Sequence, residues 1–341
     1  MQVRPSRPGG ETGARPLTRR GFLRATSAAS VVVALPGTVA SAVSRLDEEV
    51  RVGLIADLHQ DIMHDGTERM AAFVAEMAKR PPDALLQLGD FAYPNPDNKD
   101  VIDLFNQAHE HTLHVIGNHD TDSGHTRQQC LDLWGMPGRY YSRDVAGVLF
   151  LVLDGNDPGS PEHKGGYASF IGKEQVDWLE AQLAGATGPV VVVSHQPLAG
   201  AGAVDNAQQI QGILSAASDK VVLALNGHTH IDDLLRTGNV TYLHVNSASY
   251  HWVGGQHQHV SFPEAIHEQH RWISYTCPYR DPLFTTLSID PETRTILIEG
   301  RSSSWVGPAP AELGAKRDSD LIHGEQIAPR IRQRLIRHSG S

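Results

Sequence analysis

The sequence predicts an α/β layered fold built on a mixed sheet or a pair of sheets, and two observations carry that expectation. Short apolar runs alternate with amphipathic stretches of helical period in the first part of the chain, and hairpin-like pairs of runs follow. Five of the apolar runs also end in clusters of carboxylate, amide and imidazole residues. In α/β folds, ligands collect in the crevice outside the carboxyl ends of strands, so such endings can converge on one site. No internal repeat or long linker divides the chain, which points to a single catalytic-sized domain.

Taken in order, residues 1–42 lie outside the fold reasoning. Thr18-Arg-Arg-Gly-Phe-Leu-Arg24 is followed by an Ala/Ser/Val-rich run, Ala25–Ala42, that ends in Ala40-Ser41-Ala42. A basic region, a moderate hydrophobic region and a small-residue cleavage pattern make up an export signal. The paired Arg19 and Arg20 with Phe22 and Leu23 resemble a bacterial twin-arginine (Tat) signal. The competing readings are a mitochondrial transit peptide and a disordered basic tail. A membrane anchor is not expected, because the run falls short of the ~20 apolar residues a span needs and contains Pro36 and Gly37. The mature chain is expected to begin near Val43 and to be periplasmic or extracellular, with the Tat machinery as a partner of the precursor.

Val50–Ala56 reads as a buried strand, Thr67–Arg80 as a helix stopped by Pro81-Pro82, and Ala84–Leu88 as the next strand. Asp100–His111 places Val101, Leu104, Phe105 and Ala108 at helical spacing, before a strand at Leu113–Ile116 and a short helix at Arg127–Trp134. Tyr140–Val145 and Val148–Leu153 form a hairpin around Ala146-Gly147. Helix Lys173–Leu183, strand Val190–Val193, helix Ala207–Ala217 and strand Val221–Leu225 continue the alternation. Strand-like Leu234–Arg236 and Thr241–Val245 follow, and Leu283–Ile289 with Thr295–Ile298 make a closing hairpin. Residues 43–307 are therefore assigned to one domain. His251–Cys277, rich in His, Gln and aromatics, reads as a lid insertion. Residues 308–341 read as a polar C-terminal tail whose basic Arg330–Arg337 forms a frayed surface helix.

The chain carries a formal net charge of −10, and residues 1–42 contribute six arginines against one glutamate, so the rest is more acidic still. Such a surface repels nucleic acid and anionic membranes over long range, and neither is expected as a partner. There are two cysteines, Cys130 and Cys277, and no Cys-x-x-Cys spacing, so a thiolate zinc site is not expected. Buried thiols and a disulfide both stay open.

The five clusters are Asp57-Leu-His59, Gly89-Asp90, Gly117-Asn-His-Asp120, Ser194-His195 and Gly227-His-Thr-His230. Alone, an Asp-x-His or Gly-Asp means little, and a lone histidine such as His195 is more often a core residue than a ligand. Their joint occurrence, each at a strand end, reads as a two-metal hydrolytic site. Carboxylate, imidazole and amide oxygen suit two divalent transition metal ions: Mn, Fe, Zn, Co or Ni.

In order and spacing these motifs resemble the calcineurin-like metallophosphoesterase family from about Val50 to Val245, including the Gln175-x-x-Trp178-Leu179 helix. The resemblance implies a four-layer α/β/β/α sandwich with two mixed sheets. It implies one metal held by Asp57, His59 and His230, a second by Asn118, His195 and His228, and Asp90 bridging them. It also implies attack on phosphorus by a hydroxide held between the ions, with His119 stabilising the phosphoryl oxygens or protonating the leaving group. The chain departs from the commonest pattern at the third position after Asp90. The aspartate that orients the histidine at His119 is replaced there by Tyr93, a feature similar to purple acid phosphatases. His59 is expected to take the coordination position and Tyr93 to lie behind it. Asp120 is expected to support the ligands.

Asn156 and Asn246 follow strands and are candidates for lining the pocket, although turn-making explains each equally well, as it does Asp154. His251, His257, His259, His267 and His270 could make a third metal site, but a solvated lid is the expected reading. The expected function is an exported binuclear-metal phosphomonoesterase acting on a small phosphorylated substrate. The alternatives are a phosphodiesterase on cyclic nucleotides or phospholipid headgroups, and a non-catalytic metal-binding module of the same fold.

Overall fold

Strand β2 (Val50–Ile55) shows how the first sheet is built. All six of its residues are buried, as a strand covered on both faces requires. It pairs in parallel with β3 (Ala84–Gln87), and β3 pairs in parallel with β4 (Thr112–His114). Helices α1 (Gly66–Lys79) and α2 (Lys99–Asn106) make the two crossovers. On its other side β2 is antiparallel to β13 (Thr285–Asp290), which forms a hairpin with β14 (Thr295–Ile298). Strand β17 (Arg334–His338) pairs with β14, and β1 (Val31–Leu35) lies parallel to β17 at the outer edge. A computed structural model of the chain, describing residues 31–35, 41–315 and 327–338, is the source of this architecture. Arg19 and Arg20 of the expected signal lie outside the described residues.

The second sheet runs β5 (Tyr141–Val145), β6 (Val148–Val152), β7 (Val190–Val193), β8 (Val221–Asn226), β10 (Val240–His244) and β9 (Asp233–Thr237). Side-chain parity along its central strands sorts the layers. Phe150, Val152, Val191 and Val193 join the core shared with Leu54 and Leu86 of the first sheet. Leu151, Val190 and Val192 face the other way, onto Leu179 and Leu183 of α4 (Lys173–Gly185) and Ile210 and Leu214 of α5 (Ala207–Ala216). On the far side of the first sheet, α1 lies so close that a Cβ on Gly53 would come within 2.5 Å of Met77 Sδ. Its Met70 and Phe73 are fully buried, each worth roughly 1.5–3 kcal/mol of burial. The result is the expected α/β/β/α sandwich with two mixed sheets.

Three expectations need correction or refinement. The basic stretch Arg330–Arg337 is not a frayed helix: it supplies β16 (Arg330–Ile331) and β17, and Ile336 is fully buried. Arginines can enter the sheet there because the buried Asp232 carboxylate receives Arg334 Nη1 at 2.6 Å and Arg332 Nε at 2.5 Å. That partner lies about a hundred residues upstream and leaves no local trace in the sequence. The helix expected over Asp100–His111 ends at Asn106. The lid insertion has a folded stem, because β11 (Tyr250–Trp252) pairs antiparallel with β12 (Thr276–Pro278). Between them lies the short α6 (Glu264–Gln269). Cys277 in the stem and Cys130 in α3 (Arg127–Trp134) are buried free thiols.

Candidate metal centre and active site

Five strand ends deliver the site. Asp57 and His59 follow β2, Asp90 follows β3, Asn118 follows β4, His195 follows β7, and His228 and His230 follow β8. The chain must turn sharply after each strand to aim these side chains inward. Asp57, His59, Asp90, His228 and His230 accordingly sit at positive φ, between 49° and 69°. For residues with a Cβ this conformation costs roughly 1–2 kcal/mol apiece, strain that persists only where the surroundings enforce it. Three glycines supply the clearance. A Cβ on Gly117 would fall 2.1 Å from Asp90 Oδ1, one on Gly89 2.4 Å from His195 Nδ1, and one on Gly227 2.5 Å from Asp57 Oδ2.

The site residues form two groups of potential ligands, Asp57–His59–His230 and Asp90–His195–His228, each within mutual reach of one ion. Around His195 Nε2 stand Asp90 Oδ2, Asn118 Oδ1 and His228 Nδ1, all at 3.2 Å. His195 Nδ1 already donates to the Leu88 carbonyl at 2.8 Å, which leaves Nε2 as the nitrogen turned to these acceptors, where either a proton or a metal ion can sit. In the other group His230 Nδ1 donates to the Tyr250 carbonyl at 2.9 Å. Its Nε2 faces Asp57 Oδ1 and His59 Nε2, both at 3.2 Å. These contacts set acceptor against acceptor and become attractive only with a cation or a proton between them. The donor set therefore fits two borderline metal ions.

Asp90 is placed to serve both. Its Oδ1 accepts the His119 backbone N–H at 2.8 Å, whereas Oδ2 lies 3.5 Å from His59 Nε2 in one group and 3.2 Å from His195 Nε2 in the other. Burial opposes its ionisation, but the charge and hydrogen bond of His195 hold the Asp90 carboxyl well below the usual range. Against the same burial, Asp90 raises the His195 imidazole to about 9. Burial and the neighbouring His195 lower His228 to about 3, and burial puts His59 well below its ordinary value. Asp120 is buried and accepts the backbone N–H groups of Gly117, Asp90 and Phe91 at 2.7, 2.9 and 2.8 Å. It thus ties the turn bearing Asn118 to the turn bearing Asp90. Burial and the nearby Asp90 charge raise its pKa.

The orienting partner of His119, which the sequence motif lacks at Tyr93, is present from another position. His119 Nδ1 lies 2.7 Å from Asp122 Oδ2, and the Tyr167 hydroxyl donates to both Asp122 oxygens at 2.8 and 2.7 Å. Partial burial and the Asp122 carboxylate raise the Tyr167 hydroxyl, which keeps it a donor. With Asp122 acting as acceptor, His119 carries its proton on Nδ1 and turns the other ring nitrogen to the cavity it lines. Sequence reasoning missed both residues. Asp122 had a local signal, an acid three positions past the histidine in the same turn, whereas Tyr167 is 48 residues away and had none.

Tyr93 lines the cavity with its ring edge-on to His125 at 5.1 Å. Asn156 and Asn246 do not line it. Asn156 donates to the Ile116 carbonyl at 3.1 Å and accepts from Gln196 at 2.6 Å. Asn246 holds the C-terminal segment through the Ala328 and Arg330 carbonyls and accepts from Tyr279. Asp154 belongs to an ion-pair cluster with Arg127, Arg139 and Asp157. Among the described residues the lid histidines form no metal-holding cluster, although His251 and His257 line the cavity.

A family model described as calcineurin-like phosphoesterase matches residues 50–232. No curated protein sequence matches the chain. Among solved structures, a dimetal phosphatase from Danio rerio is similar at a TM-score of 0.53 and 14% identity, over 76% of this chain and 99% of its own. GAP50, described as the anchor in the inner membrane complex of Plasmodium, is similar at 0.52 and 14%, over 81% of this chain and 92% of its own. At such identities these two likenesses speak for the fold.

Proposed function

The chain belongs to the calcineurin-like phosphoesterase family, and from that premise we propose that it is an exported binuclear-metal phosphomonoesterase. The observation that carries the reading is the convergence of acceptor atoms about Asp90 Oδ2, which lies beside both ligand groups. Asp57, His59 and His230 would hold one ion, Asn118, His195 and His228 the other, and Asp90 both. When bound, the ions supply Lewis-acid charge to the phosphoryl oxygens and bring the pKa of a bound water toward neutrality.

The remaining work falls to the chain's own groups. Gly117, Gly89 and Gly227 let the ligands close up, and Asp120 fixes the backbone that carries two of them. His119, held by Asp122 through Nδ1, presents its other ring nitrogen to the cavity; with a second proton on that nitrogen, as the imidazolium, it is placed to steady a phosphoryl oxygen or to give that proton to the departing alkoxide. A diesterase with the same residues is the second reading, favoured by a cavity of about 1180 Å³, more than a bare phosphoryl group needs. The export signal supports a periplasmic or extracellular location.

The test is Asp90→Asn. Elemental analysis of the purified protein should show occupancy falling from about two ions per chain toward none, and turnover should be abolished with it, because the shared charge is lost. Full activity and full metal content in that variant would reject the assignment.

A further inference from the structure

Among the described residues four large hydrophobic side chains are exposed, and three of them, Tyr167, Trp252 and Trp272, line the cavity over the metal centre. Aromatic surface left in water at the mouth of a site is unused stacking surface, and its concentration in one cavity calls for a ligand. The rings form a continuous series. Tyr250 packs against His59 and His230 at 4.9 Å from each, and Trp252 follows at 6.4 Å from Tyr250. Tyr275 stands near-parallel to Trp252 at 5.5 Å and 17°, and Trp272 lies 5.0 Å from Tyr275. Tyr275 thus acts as a post that fixes both indoles, while Trp252 and Trp272 each keep about 40% of their surface open (42% and 41%). The stem pair Trp252↔Thr276 sets the register that brings the two ends of the lid together.

We propose that this wall is a stacking subsite for a flat heteroaromatic ring in the alcohol part of the phosphate ester, so that the substrates are of the nucleotide class. This rests on the phosphoesterase reading above and narrows it. An indole held by a stacked neighbour offers a fixed face at little entropic cost, on which a base can stack whatever its identity. Arg271, whose guanidinium lies 4.9 Å from the Trp272 ring centroid, extends the planar surface. Gln256 and His257 along the same wall carry groups able to hydrogen-bond the edge of a base, which an alkyl chain could not use. The acidic charge of the chain weighs against an anionic lipid surface as the occupant.

The experiment compares pairs of esters that share a reacting group and differ in the base. Metal-loaded full-length protein is given adenosine 5′-monophosphate against ribose 5-phosphate, and thymidine 5′-(4-nitrophenyl phosphate) against methyl 4-nitrophenyl phosphate. At least one pair should show a kcat/KM preference of about tenfold or more for the base-bearing ester, the equivalent of one stacked base. Trp252→Ala and Trp272→Ala should erase that preference while leaving the base-free ester unchanged, and Trp252→Phe should keep most of it. Adenosine alone, titrated into metal-free protein, should quench tryptophan fluorescence saturably, and Trp252→Ala should remove the saturable phase. Equal turnover within both pairs, or alanine variants that depress both members alike, overturns the stacking subsite and leaves the phosphoesterase reading intact. Failure to hydrolyse any of the four esters defeats the phosphoesterase reading itself, and the subsite with it.

Discussion

In the proposed reaction Asp122 is a positioning residue that would act through His119. Its carboxylate fixes the imidazole by accepting from Nδ1, and Tyr167 fixes the carboxylate in turn. Removing it should therefore damage proton delivery more than binding. Asp122→Ala should lower kcat about 10²-fold on an alkyl phosphate, whose leaving group needs a proton, and change KM little. On 4-nitrophenyl phosphate, whose leaving group departs without one, the loss should be far smaller. An equal loss on both substrates would make Asp122 a merely structural residue. The distinction matters because the motif position that usually carries the orienting acid is Tyr93 here. Here the acid that holds the histidine comes from the turn after it.

At the scale of elements, the site depends on how firmly the strand ends are held from behind. His114 closes β4 just before the turn that presents Asn118 and His119. Its ring stacks on Trp134 of α3 at 5.5 Å, its Nε2 donates to Asn106 Oδ1 at the end of α2 at 2.7 Å, and its Nδ1 accepts from Gln87 of β3 at 3.1 Å. That network needs a neutral ring, and burial lowers the His114 pKa to about 3. The unfolded chain takes up this proton near pH 6.5, well before the folded one, so stability is complete above about 6.5 and declines as pH falls toward 3. The contribution is about 1.4 kcal/mol per pH unit inside that window. His114→Gln, which keeps hydrogen-bonding capacity without a titrating group, should show a correspondingly shallower loss in urea unfolding between pH 6.5 and 5. An identical slope in both proteins would remove His114 from the account.

For the whole molecule, the outer edge of the first sheet and the proposed export signal meet. Strand β1 falls within residues 1–42 and is the outermost strand, so if the proposed signal is cleaved its removal would take one edge strand and none of the pairings among β17-β14-β13-β2-β3-β4. The inner boundary of the sheet is secured instead by the buried Asp232 with Arg332 and Arg334, which binds β17 to the segment just after His230. If the twin arginines direct export, Arg19→Lys with Arg20→Lys should leave precursor accumulated inside the cell, visible as a band retaining residues 1–42 in fractionated cells. Unimpaired export would reject the twin-arginine assignment. No helix among the described residues is long and apolar enough to cross a membrane.

The sequence by itself determined the layered α/β architecture and the chemistry of the metal centre. Both are written locally: a short, wholly β-branched run such as Val190–Val193, set off by Gly188-Pro189, suits a buried strand, and each candidate ligand follows its strand within a few positions. It located Asn118 and His119 in one motif and left the orientation of His119 open. Tertiary structure decided what depends on partners distant in the chain. Tyr167 reaches Asp122 across 45 residues, Asn246 is spent on the C-terminal segment rather than the cavity, and Arg334 enters the sheet because Asp232 is waiting there. The two indoles of the lid face one wall because β11 and β12 pair. Residue type and spacing report what a strand end can donate, but only the closed fold fixes which donors and acceptors meet, because a hydrogen bond or ion pair is a property of two positions and the sequence states them one at a time.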